Sequence, residues 1–118
     1  MNDKNLKMDE IAEFFDKIRS VALRKIIYTR HALDEMNSEE EMISKDEVRQ
    51  VIFGGEIIEN YPEDKRGHSC LIFGFSNKGR PVHVVCSPEE EYLWIITAYL
   101  PSKDKWEDDF KTRKKEDV

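Results

Sequence analysis

The chain has 118 residues, 39% apolar and 37% charged, with a formal net charge of -6 and a pI near 5.1. That length suits one domain with one core, and the 10% aromatic content argues against a disordered chain. The acidic balance excludes a general nucleic-acid binder, because phosphate binding rests on cations; only a local basic patch leaves that role open.

The opening MNDKNLKMDE is charged and holds no apolar stretch, so no signal peptide is expected. No apolar run approaches the ~20 residues of a membrane helix. The expectation is a cytoplasmic protein with no membrane contact. Ile11, Phe14, Phe15, Ile18, Val21 and Ala22 recur at three- and four-residue spacing and predict an amphipathic helix over 6–24. KIIYT (25–29) is a short β-prone piece. Thr29 is placed to cap a second helix running to Asn37, with Ala32, Leu33 and Met36 on one face. Ser44 and Glu47 have capping-box spacing and open a third helix, whose apolar face is Val48, Val51 and Ile52 and whose stop is Gly54-Gly55.

The remainder reads as β. EIIENY (56–61) is a strand ended by Pro62, and PEDKRGHS is a polar loop. CLIFGF (70–75) and PVHVVC (81–86) flank SNKGR, a hairpin turn. YLWIITAYL (92–100) is the longest and most apolar strand and is expected at the centre of the sheet. After Pro101, Ser102 is expected to cap a last helix with Trp106 and Phe110 one turn apart, and KTRKKEDV (111–118) reads as a frayed tail. The predicted fold is α+β: N-terminal helices on one face of a four-stranded antiparallel meander, closed by a short C-terminal helix, in a single domain over 1–118.

Three histidines invite a chemical reading. Strand alternation puts His83 on the face opposite Val82, Val84 and Cys86, which is the less covered face if those three meet the helices. Either it is a satisfied, partly buried side chain, or its imidazole serves as a general acid or base. His31 falls in the first turn of the second predicted helix beside Arg30; it is either a surface histidine or part of an anion site. His68 lies with Lys65 and Arg66 in a loop best read as solvated. Lys78 and Arg80 form a second small basic cluster on the hairpin. A zinc site is disfavoured, because His83 and Cys86 point to opposite faces, so neither metal nor cofactor is expected. Cys70 and Cys86 fall opposite each other in a simple hairpin register. They read as reduced core thiols, with a cross-strand disulfide the lesser alternative.

YTRHALDEM, GEIIENYP, GRPVHVV and ITAYLPSKDKW, in that order over roughly Ile26 to Phe110, make the chain resemble the family catalogued as domain of unknown function 4258. That family resembles, distantly, the RelE-, MqsR- and BrnT-like toxins, small α+β ribonucleases of toxin–antitoxin pairs. The resemblance implies metal-free RNA cleavage and a zinc-finger-type antitoxin partner that masks the sheet face. It carries over onto His31, His83 and Tyr99. The chain departs from the pattern at Glu35, where the family often has Arg, and at Glu41-Met42, where it often has Arg-Gly.

Two functional classes follow, the toxin-like endoribonuclease as the preferred expectation and a binding module as its alternative. In a toxin-like endoribonuclease, His31 and His83 share the proton transfers with Tyr99, and Arg80 stabilises the phosphate, helped by Lys78 or Arg30, with Lys65 and Arg66 as further RNA contacts. This requires His31 and His83 to meet at one cleft with a basic surface. In a non-catalytic protein-binding module, the open sheet face contacts a partner, and the surface beside His83 is not basic.

Overall fold

Thr29 and Ser44 act as their spacing predicts. Thr29 Oγ1 accepts the Ala32 amide at 3.0 Å, and Ser44 and Glu47 form a reciprocal capping box. The computed structural model describes residues 3–115, with side chains described from Met8 onward. Three helices, α1 (Asp3–Arg24), α2 (Arg30–Met36) and α3 (Lys45–Gly54), accompany five strands. The strands are β1 (Ile26–Tyr28), β2 (Glu56–Tyr61), β3 (Ser69–Phe75), β4 (Pro81–Pro88) and β5 (Leu93–Tyr99), in sheet order β1-β5-β4-β3-β2.

The fold is α+β, but the expected architecture needs two corrections. β2 to β5 do form an antiparallel meander; β1 then adds a fifth strand parallel to β5, so the sheet is mixed and β4, not β5, is central. A three-residue strand carries almost no periodic signal, and its parallel pairing is a long-range event. The expected C-terminal helix is also absent. Ser102 opens one turn, with its carbonyl accepting the amides of Lys105 and Trp106. The next amide, of Glu107, turns instead to Thr112 O, and Trp106 bridges to Arg113. Asp109 then captures the amides of Lys111 and Thr112, closing an irregular loop. The helix loses because Trp106, 2% exposed, and Phe110 are drawn down onto the sheet.

The helices cover one sheet face. Ile18, Val21, Ala22, Ala32, Met36, Val48, Val51 and Ile52 pack on Cys70, Ile72, Val82, Val84, Cys86, Ile95 and Ala98. This buried apolar surface is the main stabilising term. Arg19 ties α1 to α3 by donating to Ile52 O and Gly55 O. Gly55 is forced: a Cβ there would lie 2.4 Å from Phe73 O and 2.5 Å from Val51 O.

Two β-bulges set which side chains reach the other face. In β2 the pairing passes from Ile57↔Ile72 to Glu59↔Leu71, and in β5 from Ile95↔Cys86 to Thr97↔Val85. Ile58 and Ile96 are therefore the extra residues. Each slip shifts the alternation by one, so Glu59, Thr97 and Tyr99 join Leu71, Phe73, His83 and Val85 on the face away from the helices. The loop of residues 101–115 lies across the Phe73–His83–Tyr99 end of that face.

Candidate functional site

His83 sits where alternation predicts, opposite the helix-facing Val82 and Val84, but it is fully buried rather than open. The C-terminal loop supplies the cover. His83 Nε2 lies 2.7 Å from Phe110 O and Nδ1 lies 3.2 Å from Tyr99 Oη. A carbonyl only accepts, so Nε2 carries the proton, and neutral Nδ1 accepts from the Tyr99 hydroxyl. The edge of Trp106 at 4.5 Å and that of Phe73 at 5.6 Å complete the enclosure. Burial pushes the imidazole pKa down and so favours the neutral form, against the opposing pull of Phe110 O. Burial likewise pushes the Tyr99 hydroxyl up to about 12.

Tyr99 is the outlet of this buried pair. It lines a cleft of about 330 Å³ together with Glu35, Glu41, Leu100, Ser102, Lys105, Trp106 and Arg113. Glu35 enters from α2 and accepts a hydrogen bond from the Thr97 hydroxyl. Glu41 accepts the Leu100 amide at 2.6 Å, and burial raises its carboxyl above the usual range despite that bond. Arg113 makes a bidentate pair with Glu59 at 2.8 and 3.0 Å. Burial alone would raise Glu59, but the Arg113 pair and the Tyr61 hydroxyl outweigh it and leave the carboxyl lowered. The cleft therefore presents two carboxylates and two cations, one cation already committed to Glu59.

His31 reaches the same cleft indirectly. Its side chain is 68% exposed, and Nε2 lies 3.5 Å from Glu35 Oε2. His31 and His83 thus stand behind two residues of one cleft, Glu35 and Tyr99, and neither lines it. The remaining sequence candidates lie elsewhere. Arg80 is held by Glu47, with Nε to Oε2 at 3.1 Å and Nη2 to Oε1 at 2.7 Å, and it donates to the carbonyls of Glu41 and Met42. Lys78 lies 3.8 Å from the same carboxylate. Arg66 pairs with Asp64, which its guanidinium holds well below the usual carboxylate range. Arg30 and Lys65 are exposed. His68 is not the solvated loop residue expected: its ring stacks on Phe14 at 3.6 Å, and Nε2 lies 2.6 Å from Asn60 Oδ1. The frayed tail is also corrected as far as Lys114, since Lys111 pairs with Glu56, Arg113 with Glu59, and the Lys114 amide donates to Lys105 O; residues 116–118 lie outside the described chain.

Sequence reasoning singled out neither Glu35 and Glu41 as site residues nor Lys105 and Arg113. The i,i+4 spacing of His31 and Glu35 was an available signal. Lys105 and Arg113 had none, because the loop that carries them was read as helix and tail.

Residues 28–100 match the model of the family described as Domain of unknown function (DUF4258). The chain belongs to this family. No curated protein matches, and no solved structure matches. The DUF4258 match runs from the last residue of β1 to just past β5, so it contains His31, Glu35, Glu41, His83 and Tyr99. α1 and the C-terminal loop, with Lys105, Trp106 and Arg113, lie outside it. Among the described residues no helix is long and apolar enough to cross a membrane.

Proposed function

We propose that this DUF4258 protein is a non-catalytic binding module whose recognition site is the cleft between α2 and the C-terminal loop. The observation that carries the reading is the charge lining of that cleft. Glu35, Glu41, Lys105 and Arg113 line it together with the apolar Leu100 and Trp106. A nucleic-acid strand would meet two carboxylates there, in a chain of net charge -6. A polypeptide segment bearing charges of both signs is matched by the same groups. Two of the cations expected to contact RNA support this reading too, since Arg80 and Arg66 are spent on Glu47 and Asp64.

A toxin-like, metal-independent endoribonuclease is the second reading, favoured by the Tyr99–His83 hydrogen bond behind the same cleft. There Tyr99 takes the ribose 2′-hydroxyl proton while passing its own to His83 Nδ1. His31 protonates the leaving oxygen, and Lys105 and Arg113 hold the phosphate. A zinc-finger-type antitoxin would be its partner.

One experiment separates the two. Wild type and Tyr99→Phe are expressed from an inducible promoter, and growth and RNA integrity are scored. The binding module predicts normal growth and intact RNA for both. RNA breakdown in wild type, reduced about 10²–10⁴-fold in Tyr99→Phe, would overturn it in favour of the enzyme.

A further inference from the structure

We propose that Cys70 and Cys86 are a modification site, a dithiol that closes into a cross-strand disulfide by exchange with a small-molecule disulfide of the oxidised-glutathione class. The two residues are direct partners in the β3–β4 register. Directly opposed antiparallel residues have Cα atoms about 4.5 or 5.5 Å apart, and both spacings fall within the range a disulfide accepts. Both side chains lie on the helix-facing side of the sheet and are fully buried as free thiols. The bond therefore closes within the existing strand pairing, around the hairpin turn at Asn77–Gly79.

The chemistry balances as two exchanges. One cysteine thiolate attacks a glutathione sulfur, forms a mixed disulfide and releases one glutathione thiolate. The second cysteine thiolate attacks the protein sulfur of that mixed disulfide and releases the other. The protein loses two electrons and two protons, and the small disulfide is reduced to two thiols. Access is the control. The pair is buried in the core between helices and sheet, and the neighbouring Cys70 thiol and burial push the Cys86 thiol up, so the closed fold offers little thiolate. Exchange belongs to the chain whose helices are not yet docked, and packing then shields the product.

The test is refolding from denaturant in oxidised and reduced glutathione, against native chain held in the same buffer. The refolded chain is expected to be monomeric, about 2 Da lighter and free of titratable thiol, with a Tm about 5–15 °C above the reduced form. The native chain is expected to oxidise at least tenfold more slowly. Glutathione adducts or linked dimers in place of the internal bond, a lower Tm, or equally fast oxidation of the native chain would each overturn the proposal. A register control, Cys86→Ala with Val84→Cys, moves the thiol opposite Ile72. That variant is expected to keep its thiols; internal closure at the wild-type rate would also overturn it.

Discussion

Replacing Arg80 with Met tests whether that guanidinium belongs to the architecture or to a phosphate site. Glu47 is fully buried at the start of α3, and Arg80, 28% exposed at its side chain, is its main partner. The Arg80 hydrogen bonds hold the Glu47 carboxyl at about 2, against an ordinary 4.5, while burial alone would raise it. That difference corresponds to about 3 kcal/mol of stability. Removing one member of a buried pair costs about 3–5 kcal/mol, and partial exposure of Arg80 trims this to about 2–4 kcal/mol. The carbonyls of Glu41 and Met42 lose a donor as well. Because the folded value is depressed, the Glu47 contribution is full above pH 4.5 and is lost as pH falls from 4.5 toward 2. Urea unfolding of wild type and Arg80→Met at pH 7 and pH 3 reads both effects. The variant is expected to lose about 2–4 kcal/mol at pH 7 and roughly half of that at pH 3, where the Glu47 contribution is only partly gone. Adding Glu47→Gln to Arg80→Met is expected to recover part of the loss. A variant within 0.5 kcal/mol of wild type at pH 7, or a gap that does not narrow in acid, refutes the reasoning.

Other perturbations discriminate just as directly. Gly55→Ala is expected to cost at least about 2 kcal/mol in urea unfolding, because its Cβ would strike Phe73 O and Val51 O, while Gly54→Ala, with nothing within 4 Å, stays within about 0.5 kcal/mol. Equal effects would show that helix termination alone selects these glycines. Met42, 64% exposed, holds φ at 48°, so Met42→Gly is expected to raise stability by about 0.5–1 kcal/mol, and a lowered Tm would contradict this. His83 has a lowered pKa, so its contribution is full above 6.5 and declines as pH drops below 6.5, when the unfolded chain takes up the proton first. NMR of the imidazole is expected to report the Nε2–H tautomer; an Nδ1–H signal would break the assignment to Phe110 O.

The helical half of the molecule was legible because its signals are local. Thr29, Ser44 and Glu47 satisfy amides within three residues, and the Asn77–Gly79 turn needs only the positive φ of Gly79. What escaped is long-range. β1 reaches β5 across most of the chain, and nothing in Ile26–Tyr28 says which edge it joins. Alternation put His83 on its true face, but the group that buries it is the main-chain oxygen of Phe110, 27 residues away, and a carbonyl leaves no mark in residue type. The site was half legible for the same reason. The histidines and Tyr99 stand out as chemistry, whereas Glu35 and Glu41 stand out only as departures from the family pattern, and the cleft they line forms where α2 and the loop after it meet β5.

The two bulges give the sheet something like a reading frame with two phase slips, at Ile58 and Ile96. Were Ile96 drawn into the ladder opposite Val85, with no residue changed, Ala98 would stand against His83 and Thr97 would turn into the core. Drawing Ile58 into the ladder opposite Leu71 would likewise aim Glu59 at Cys70 and away from Arg113. Deleting either extra residue would leave the other pairs as they stand, so that face of the sheet depends on the slip and not on the extra side chain. The cleft owes its Tyr99 to a residue that the ladder passes over and that does not line the cleft.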